Sequence, residues 1–261
     1  MQQLEKTVVV KLGGSTLGNH DTILSDVVEL QKQGVPVVLV HGGAQRVSQY
    51  LSLMGIPTTF YKGLRLTDKR TLEIVTAILA GLVNKELVVA IQGLGGKAIG
   101  LSGSDGNLLQ AKIKDPNLGY DGEVLASDPS ILKIMLAAGY TPVVAPISSG
   151  LVNNAATLLN VNGDTAAGEI AVALETTNLI FLTDVSGIQN RAGKTIPLIH
   201  TTEAREMLYN EDISGGMIPK VESCLRALTV IRKARIIDGR KPHSLLNEIN
   251  GATGGTTIVP D

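Results

Sequence analysis

The stretch Val8-Val9-Val10-Lys11-Leu12-Gly13-Gly14 sets three valines ahead of a lysine and two glycines. Three consecutive β-branched residues read as a short buried strand, and glycines at its carboxyl end let backbone approach a ligand closely. A cation beside such backbone suits a phosphate group. On these seven residues alone a second reading stands equally: a buried strand ending in a tight turn, with a solvated lysine.

The neighbouring sequence repeats the arrangement. Residues Asp21 to Gln33 carry apolar positions at Ile23, Leu24, Val27, Val28 and Leu30 and stop at Gly34, which predicts an amphipathic helix closed by glycine. Val35 to Val40 reads as a second buried strand ending in His41-Gly42-Gly43, followed by a helix from Ala44 to Met54. Two strand–diglycine–helix units predict an α/β fold with parallel strands and helices on both faces. Ligands in such sheets sit at the carboxyl ends of the strands, so both diglycines should face one cleft.

Farther on, the pattern predicts a long helix over Lys69 to Gln92 that holds Asn84-Lys85, a strand at Ala98 to Ser102, and a hairpin region over 107–126 with turns at Asp115-Pro116 and Asp121-Gly122. A helix from Pro129 to Ala138 and a strand from Thr141 to Ile147 complete the first half. Asn160-Val-Asn-Gly-Asp164 then precedes a helix from Thr165 to Glu175 for which Asp164 is a natural cap. A strand at Asn178 to Leu182, a helix over 202–213, a long helix opening at Pro219-Lys220, and strands at Ala234 to Asp238 and Thr256 to Val259 follow. Ser148-Ser149-Gly150 and Asn153-Asn154 suggest a junction between lobes 1–150 and 151–261.

Composition narrows the function. The 261 residues are 44 % apolar and 18 % charged with 29 glycines, which fits buried strands joined by tight loops. Aromatics are only 3 % and the net charge is −1, so neither stacking platforms nor a global field for nucleic acid or an anionic membrane is expected. The polar amino terminus and the lack of an apolar run of 18 residues predict a cytoplasmic protein. Cys224 stands alone at helical spacing with Val221, Leu225 and Leu228, which predicts core packing.

Two nucleotide-binding fingerprints fail. Gly187 and Gly193-Lys194-Thr195 are separated by five residues where a P-loop has four, so Gly193-Lys194 reads as a hairpin turn. Gly93-Leu-Gly-Gly96 precedes a strand where a dinucleotide motif needs a helix, and reads as the loop after one. The remaining reading assembles one phosphate site from scattered parts: Lys11, Lys220, both diglycines and the positive end of the helix that starts near Pro219, with Asp164 holding the lysines in register.

Lys11-Leu-Gly-Gly14, His41-Gly42-Gly43, Gly63-Leu-Arg65-Leu-Thr-Asp68, Asn160-Val-Asn-Gly-Asp164, Thr183-Asp184-Val-Ser-Gly187 and Gly215-Gly216-Met-Ile-Pro-Lys220 occur in the order found in the amino acid kinase family. The resemblance runs from about residue 7 to 259 and is strongest to members that phosphorylate the side-chain carboxylate of N-acetyl-L-glutamate in arginine biosynthesis. It implies a three-layer sandwich around a mainly parallel sheet, an acyl-substrate lobe, an ATP lobe and a homodimer. It also implies that Lys11 and Lys220 neutralise the transferring phosphoryl, that Asp164 orients both, and that Gly13, Gly14 and Gly43 donate to phosphoryl oxygens. Gly42, Gly43, Leu64, Arg65 and Asn160 would hold the substrate, Arg65 through a bidentate pair with its α-carboxylate. An ion pair of Arg65 with Asp68 is the alternative. Thr183, Asp184, Gly187, Gly216 and Met217 would border ATP, with Mg²⁺ carried by the phosphates and no dedicated metal cage.

Departures are local: Ala44 follows Gly43 where the family usually has a third glycine. Arg65 to Glu73 and Gly100 to Gly106 also look like kinases of carrier-protein-linked aminoadipate, whereas Asn162 to Gly168 and Leu118 to Val124 favour the acetylated amino acid. Arginine-inhibited members carry an additional N-terminal helix, and the six residues ahead of the first strand predict an arginine-insensitive dimer. A non-catalytic nucleotide-binding regulator would be expected to have lost a lysine or Asp164, and this chain keeps them.

Overall fold

The computed structural model describes residues 6–13, 21–61, 64–251 and 254–261, with the backbone only at Asp21, Phe60, Tyr61, Leu64 and Arg65. In chain order the first half runs β1 (Val8–Leu12), α1 (Asp21–Lys32), β2 (Val37–His41), α2 (Ala44–Leu53), β3 (Phe60–Tyr61), β4 (Leu64–Arg65), α3 (Lys69–Thr76), α4 (Asn84–Gly93), β5 (Ala98–Ser102), β6 (Leu109–Ile113), β7 (Asp121–Ser127), α5 (Ser130–Ala137) and β8 (Thr141–Ala145). There follow β9 (Ile147–Val152), β10 (Ala155–Val161), α6 (Gly163–Leu174), β11 (Asn178–Thr183), β12 (Leu198–His200), α7 (Thr201–Tyr209), α8 (Ile218–Ala227), β13 (Ala234–Asp238), α9 (Ser244–Ile249) and β14 (Thr256–Val259).

Eight strands form one sheet in the order β12-β14-β13-β11-β1-β2-β8-β5, parallel except where β13 meets β14. The opening valines lie at its centre, β1 pairing with β11 on one side and β2 on the other. Strands β1, β2, β11 and β13 place apolar side chains on both faces because helices cover both. Successive side chains of a strand point to opposite faces. Val8, Val10 and Leu12 therefore join the core under α1, α3 and α4, while Val9 joins the one under α6 and α8. Lys11 falls on the face of Val9. On β2 the same alternation sends Val38 and Val40 to the α6–α8 face and Leu39 to the other, so His41 points toward α4.

Strands β6, β7, β9 and β10 close into a small four-stranded barrel from two antiparallel hairpins. The second hairpin turns at Asn153 and Asn154, both at positive φ, so Ser148 to Asn154 is strand and turn. Pro146 splits the strand expected from Thr141 to Ile147: β8 ends at Ala145 and β9 begins at Ile147. Asp121-Gly122 opens β7 instead of making a turn; the reversal lies at Pro116–Gly119, where Gly119 has φ +69 and a Cβ would lie 2.4 Å from the Thr67 carbonyl oxygen. Thr67 N–H donates to Leu118 O and Tyr120 N–H to Thr67 O, which ties the segment after Arg65 to the barrel.

The helical stretch Lys69–Gly93 is long and apolar enough to cross a membrane, although the sequence suggested no such run. Its Leu72, Val75, Ile78, Leu79, Val83, Leu87 and Ile91 face the core. Over Ala77–Val83 it widens to π-type bonding, with Asn84 N–H reaching Leu79 O, and this shift of phase brings Asn84 inward. The expected turns at Gly193-Lys194 and after α4 are present: Asn190 N–H donates to Lys194 O, and Gly96 N–H to Ile91 O. Strand β12 and helix α9 are short and had no sequence expectation, and the helix expected over 202–213 ends at Tyr209.

Candidate active site

Helix α6 begins where β10 leaves the barrel, and its cap is Asn162, whose side chain accepts from the Asp164 and Thr165 N–H groups at 2.8 and 3.3 Å. The sequence favoured Asp164 as cap. With Asn162 taking those donors, the Asp164 carboxylate is free to point from the first helical turn toward the sheet. Lys11 Nζ lies 2.7 Å from Oδ1, with no other polar group on that oxygen. Lys220 Nζ donates to Oδ2 at 3.1 Å and to the Gly216 carbonyl at 3.0 Å.

Lys220 arrives from the first turn of α8, where Pro219 is tolerated because the opening N–H groups of a helix have no intrahelical acceptor. Close approach of α6 and α8 makes the meeting possible: a Cβ on Gly168 would be 3.1 Å from that of Ser223. Two cations and one anion thus meet at the strand ends, Lys11 and Asp164 buried and Lys220 partly exposed. Burial opposes ionisation of Asp164, but the charges of Lys11 and Lys220 outweigh it and hold the carboxyl below its ordinary range. Burial, aided by Lys220, pulls the Lys11 ammonium below its usual value against the attraction of Asp164.

The second diglycine sits alongside. A Cβ on Gly163 would lie 3.5 Å from both Lys11 Cε and the His41 carbonyl oxygen and 3.9 Å from Gly42 Cα. His41 is fully buried, and burial lowers its pKa to about 4, so the ring is neutral. Its Nδ1 is 2.8 Å from the Gly42 carbonyl and its Nε2 is 3.2 Å from Asn84 Nδ2. An amide nitrogen only donates and a carbonyl only accepts, so Nδ1 carries the proton. The two Nδ2 hydrogens of Asn84 are shared among His41 Nε2, Leu101 O and Val143 O, and its Oδ1 accepts from Lys85 Nζ at 3.0 Å. A Cβ on Gly100 would fall 1.9 Å from that Oδ1.

This network aims one peptide. With the Gly42 carbonyl held on His41, a trans peptide turns the Gly43 N–H the opposite way. The N–H groups of Gly13 and Gly42 are already used, donating to Leu182 O and Leu12 O. Gly13, expected as a phosphoryl donor, therefore completes the strand ladder with its N–H. Gly14 lies outside the described residues, as do the side chains of Leu64 and Arg65. Asp68, weighed as a partner for Arg65, caps α3 by accepting from Thr71 N–H at 2.7 Å.

Asn160 stands two residues before the Asn162 cap and pairs across the barrel with Asp121. On the other flank, Thr183 continues β11 past the Leu12↔Leu182 pair and is matched with Asp238 of β13. Asp184 follows and accepts from the Thr183 hydroxyl. Gly216 and Met217 lead into α8, Gly216 contacting Lys220. Gly187 is packed instead: at φ +136, its Cβ would meet Thr256 Oγ1 at 2.6 Å. Cys224 is fully buried and burial pushes its thiol pKa up, as core packing requires.

A profile of the amino acid kinase family matches residues 6–238. The chain belongs to the amino acid kinase family. An acetylglutamate kinase of Dehalococcoides mccartyi (strain CBDB1) is 44 % identical over 261 residues, covering 99 % of this chain and 96 % of that one. One from Cereibacter sphaeroides is 42 % identical and covers 97 % of this chain and 87 % of the other. Among solved structures, N-acetylglutamate synthase from Neisseria gonorrhoeae, complexed with coenzyme A and N-acetyl-glutamate, matches with a TM-score of 0.85 at 25 % identity. That match covers all of this chain and 61 % of the other. As an amino acid kinase, the chain has the expected α/β architecture around a mainly parallel sheet. His41, Asn84 and Asp121 are the site-associated side chains that motif reading left without a role. An amide at helical spacing with the apolar Leu87, Val88 and Ile91 was the available signal for Asn84.

Proposed function

We propose that this kinase transfers the γ-phosphoryl of ATP to the side-chain carboxylate of N-acetyl-L-glutamate, forming N-acetyl-L-glutamyl 5-phosphate for arginine biosynthesis. The observation that carries the reading is the Lys11–Asp164–Lys220 cluster at the strand ends. The acceptor is already an anion at neutral pH, so its oxygen attacks the γ-phosphorus in line without a general base. The O–P bond to the substrate forms as the bond to the β-phosphate oxygen breaks, and ADP leaves with that electron pair. What the reaction needs from protein is positioning and positive charge.

Asp164 suits that demand as an organiser. Both its oxygens face lysines, and its lowered pKa makes it a poor base. The two ammonium groups exceed its charge by one. Lys11 and Lys220 would contact the phosphoryl in transit, and the Gly43 N–H would add a backbone donor. The substrate would lie against Gly42, Leu64, Arg65 and Asn160. Nucleotide would border Thr183, Asp184, Gly216 and Met217, reaching a cavity of about 220 Å³ next to Asp238, Lys241, Asn247 and Glu248.

Among the described residues no group of three side chains could hold a metal, and Asp164 is occupied by lysines. A Mg²⁺ ion would thus be held by ATP phosphates and water, where it would neutralise part of their charge. Residues 1–150 would form the acyl-substrate and dimerisation lobe and 151–261 the ATP lobe of a cytoplasmic homodimer. An ATP-dependent hydroxamate assay comparing N-acetyl-L-glutamate, N-acetylaminoadipate, free glutamate and a carrier-linked substrate tests the assignment. Product from N-acetyl-L-glutamate is expected; product from the carrier-linked compound alone would overturn it.

A further inference from the structure

Asp121 is only 6 % exposed, and among the described residues its carboxylate has one hydrogen-bond partner, Asn160 Nδ2, at a long 3.5 Å from Oδ1. Other buried acids of the chain are better served. Asp164 meets two lysines, Asp238 pairs with Arg240, and Asp26 accepts from His243 Nδ1 at 2.7 Å and Leu246 N–H at 3.1 Å. A buried carboxylate with so little compensation is costly unless something else completes it.

Its place indicates what that is. The β7–β10 register sets Asp121 beside Asn160 on the segment that leads into α6 and the lysine cluster. Burial lifts the Asp121 pKa to about 6, opposed by Lys114 and the Asn160 amide, so the group is ionised and an acceptor at neutral pH. N-acetyl-L-glutamate has two carboxylates and one amide. Against either carboxylate an ionised acid is repulsive; the amide N–H is the only hydrogen-bond donor the substrate offers.

We infer that Asp121 is a specificity-determining residue whose carboxylate accepts a hydrogen bond from the amide N–H of the acyl-amino substrate. The inference rests on Asn160 lining the acyl subsite. It explains why an acid stands where an apolar residue would serve the barrel better: a polar group left poorly paired until substrate binds rejects ligands that lack the matching donor.

The test compares N-acetyl-L-glutamate with 2-acetoxyglutarate, which replaces N–H by an ester oxygen, using the full-length enzyme and an ADP-release assay. The wild type is expected to favour the amide by about tenfold or more in kcat/KM, the scale of a hydrogen bond to a charged group. Asp121→Val, similar in size and without an acceptor, should bring the two substrates close together. Asp121→Asn, which keeps a neutral acceptor, should retain an intermediate preference and guards against a folding defect in the valine variant. An undiminished amide preference in Asp121→Val, or an equal loss on both substrates in both variants, would overturn the inference. The underlying placement is tested separately, because Asn160→Ala should raise KM for N-acetyl-L-glutamate; an unchanged KM removes Asn160 from the subsite whatever Asp121 does.

Discussion

Replacing Asp121 with asparagine keeps the size of the side chain and removes its charge, and the fold should become more stable at neutral pH. Burial raises the folded-state pKa from 3.8 to about 6, so the folded protein holds the proton more tightly than the unfolded chain. Below pH about 4 both states are protonated and the group is neutral toward folding. Stability then falls as pH rises through about 6, and the full penalty persists above it. A shift of about two units corresponds to roughly 3 kcal/mol. Allowing for the burial of an amide, Asp121→Asn should gain about 2 kcal/mol at pH 7.5 and almost nothing at pH 4. Urea unfolding at several pH values measures the difference. His41 supplies an internal check because it runs the other way. Its pKa is depressed from 6.5 to about 4, so the stability present above pH 6.5 is lost as pH falls toward 4. In the wild type the two slopes oppose each other between pH 4 and 6; in Asp121→Asn the acid limb should be steeper. A gain independent of pH, or a loss at pH 7.5, would refute the reasoning.

Lys11→Ala and Lys220→Ala should each lower turnover by about 10²–10³, or ~3–4 kcal/mol of transition-state stabilisation, and unchanged steady-state activity in either would remove that lysine from the phosphoryl site. Asp164→Asn leaves the buried Lys11 ammonium facing that of Lys220 without their anion; thermal unfolding should show a loss of about 3 kcal/mol, and wild-type stability would show that the lysines do not depend on it. Arg65→Lys should raise KM for the acyl substrate and leave KM for ATP nearly unchanged, since a lysine cannot match a carboxylate bidentately. Equal weakening of both would mark Arg65 as structural.

Local pattern carried most of the sheet into view. Ala98–Ser102, Ala234–Asp238 and Thr256–Val259 match their expected bounds because each is a short apolar run between turn residues. Asp121 was misplaced for the opposite reason: Asp-Gly is a strong turn signal, and the barrel overrode it by pairing Gly122 with Val161, where a Cβ would lie 3.0 Å from Leu159 Cβ. The cap at Asn162 was equally open to misreading, because Asn162 and Asp164 both suit the position and only the helix start decides. Lys11 and Lys220 were legible as cations flanked by glycine. Their meeting was not, because 209 positions separate them and the closeness of α6 and α8 depends on Gly168 against Ser223.

The alternation of side chains along β1 and β2 explains why Lys11 and His41 lie on opposite faces of the sheet. Lys11 and His41 lie one register step apart on β1 and β2, where Leu12 pairs with His41 and Lys11 with Val40. Opposite parity sends the lysine to α6 and α8, where acid and cation await it, and the imidazole to α4, where Asn84 awaits it. Had both pointed the same way, the ring would have faced the ammonium groups, away from the Asn84 amide that now meets its Nε2. As built, the neutral ring holds the Gly42–Gly43 peptide from one side of the sheet while the lysines meet Asp164 on the other. Lys11 would feel a charge on His41 directly, whereas a neutral side chain there acts on the lysine cluster through that peptide. His41→Gln should therefore lower kcat with KM for ATP preserved, and an equal change in both would break the link between ring and peptide.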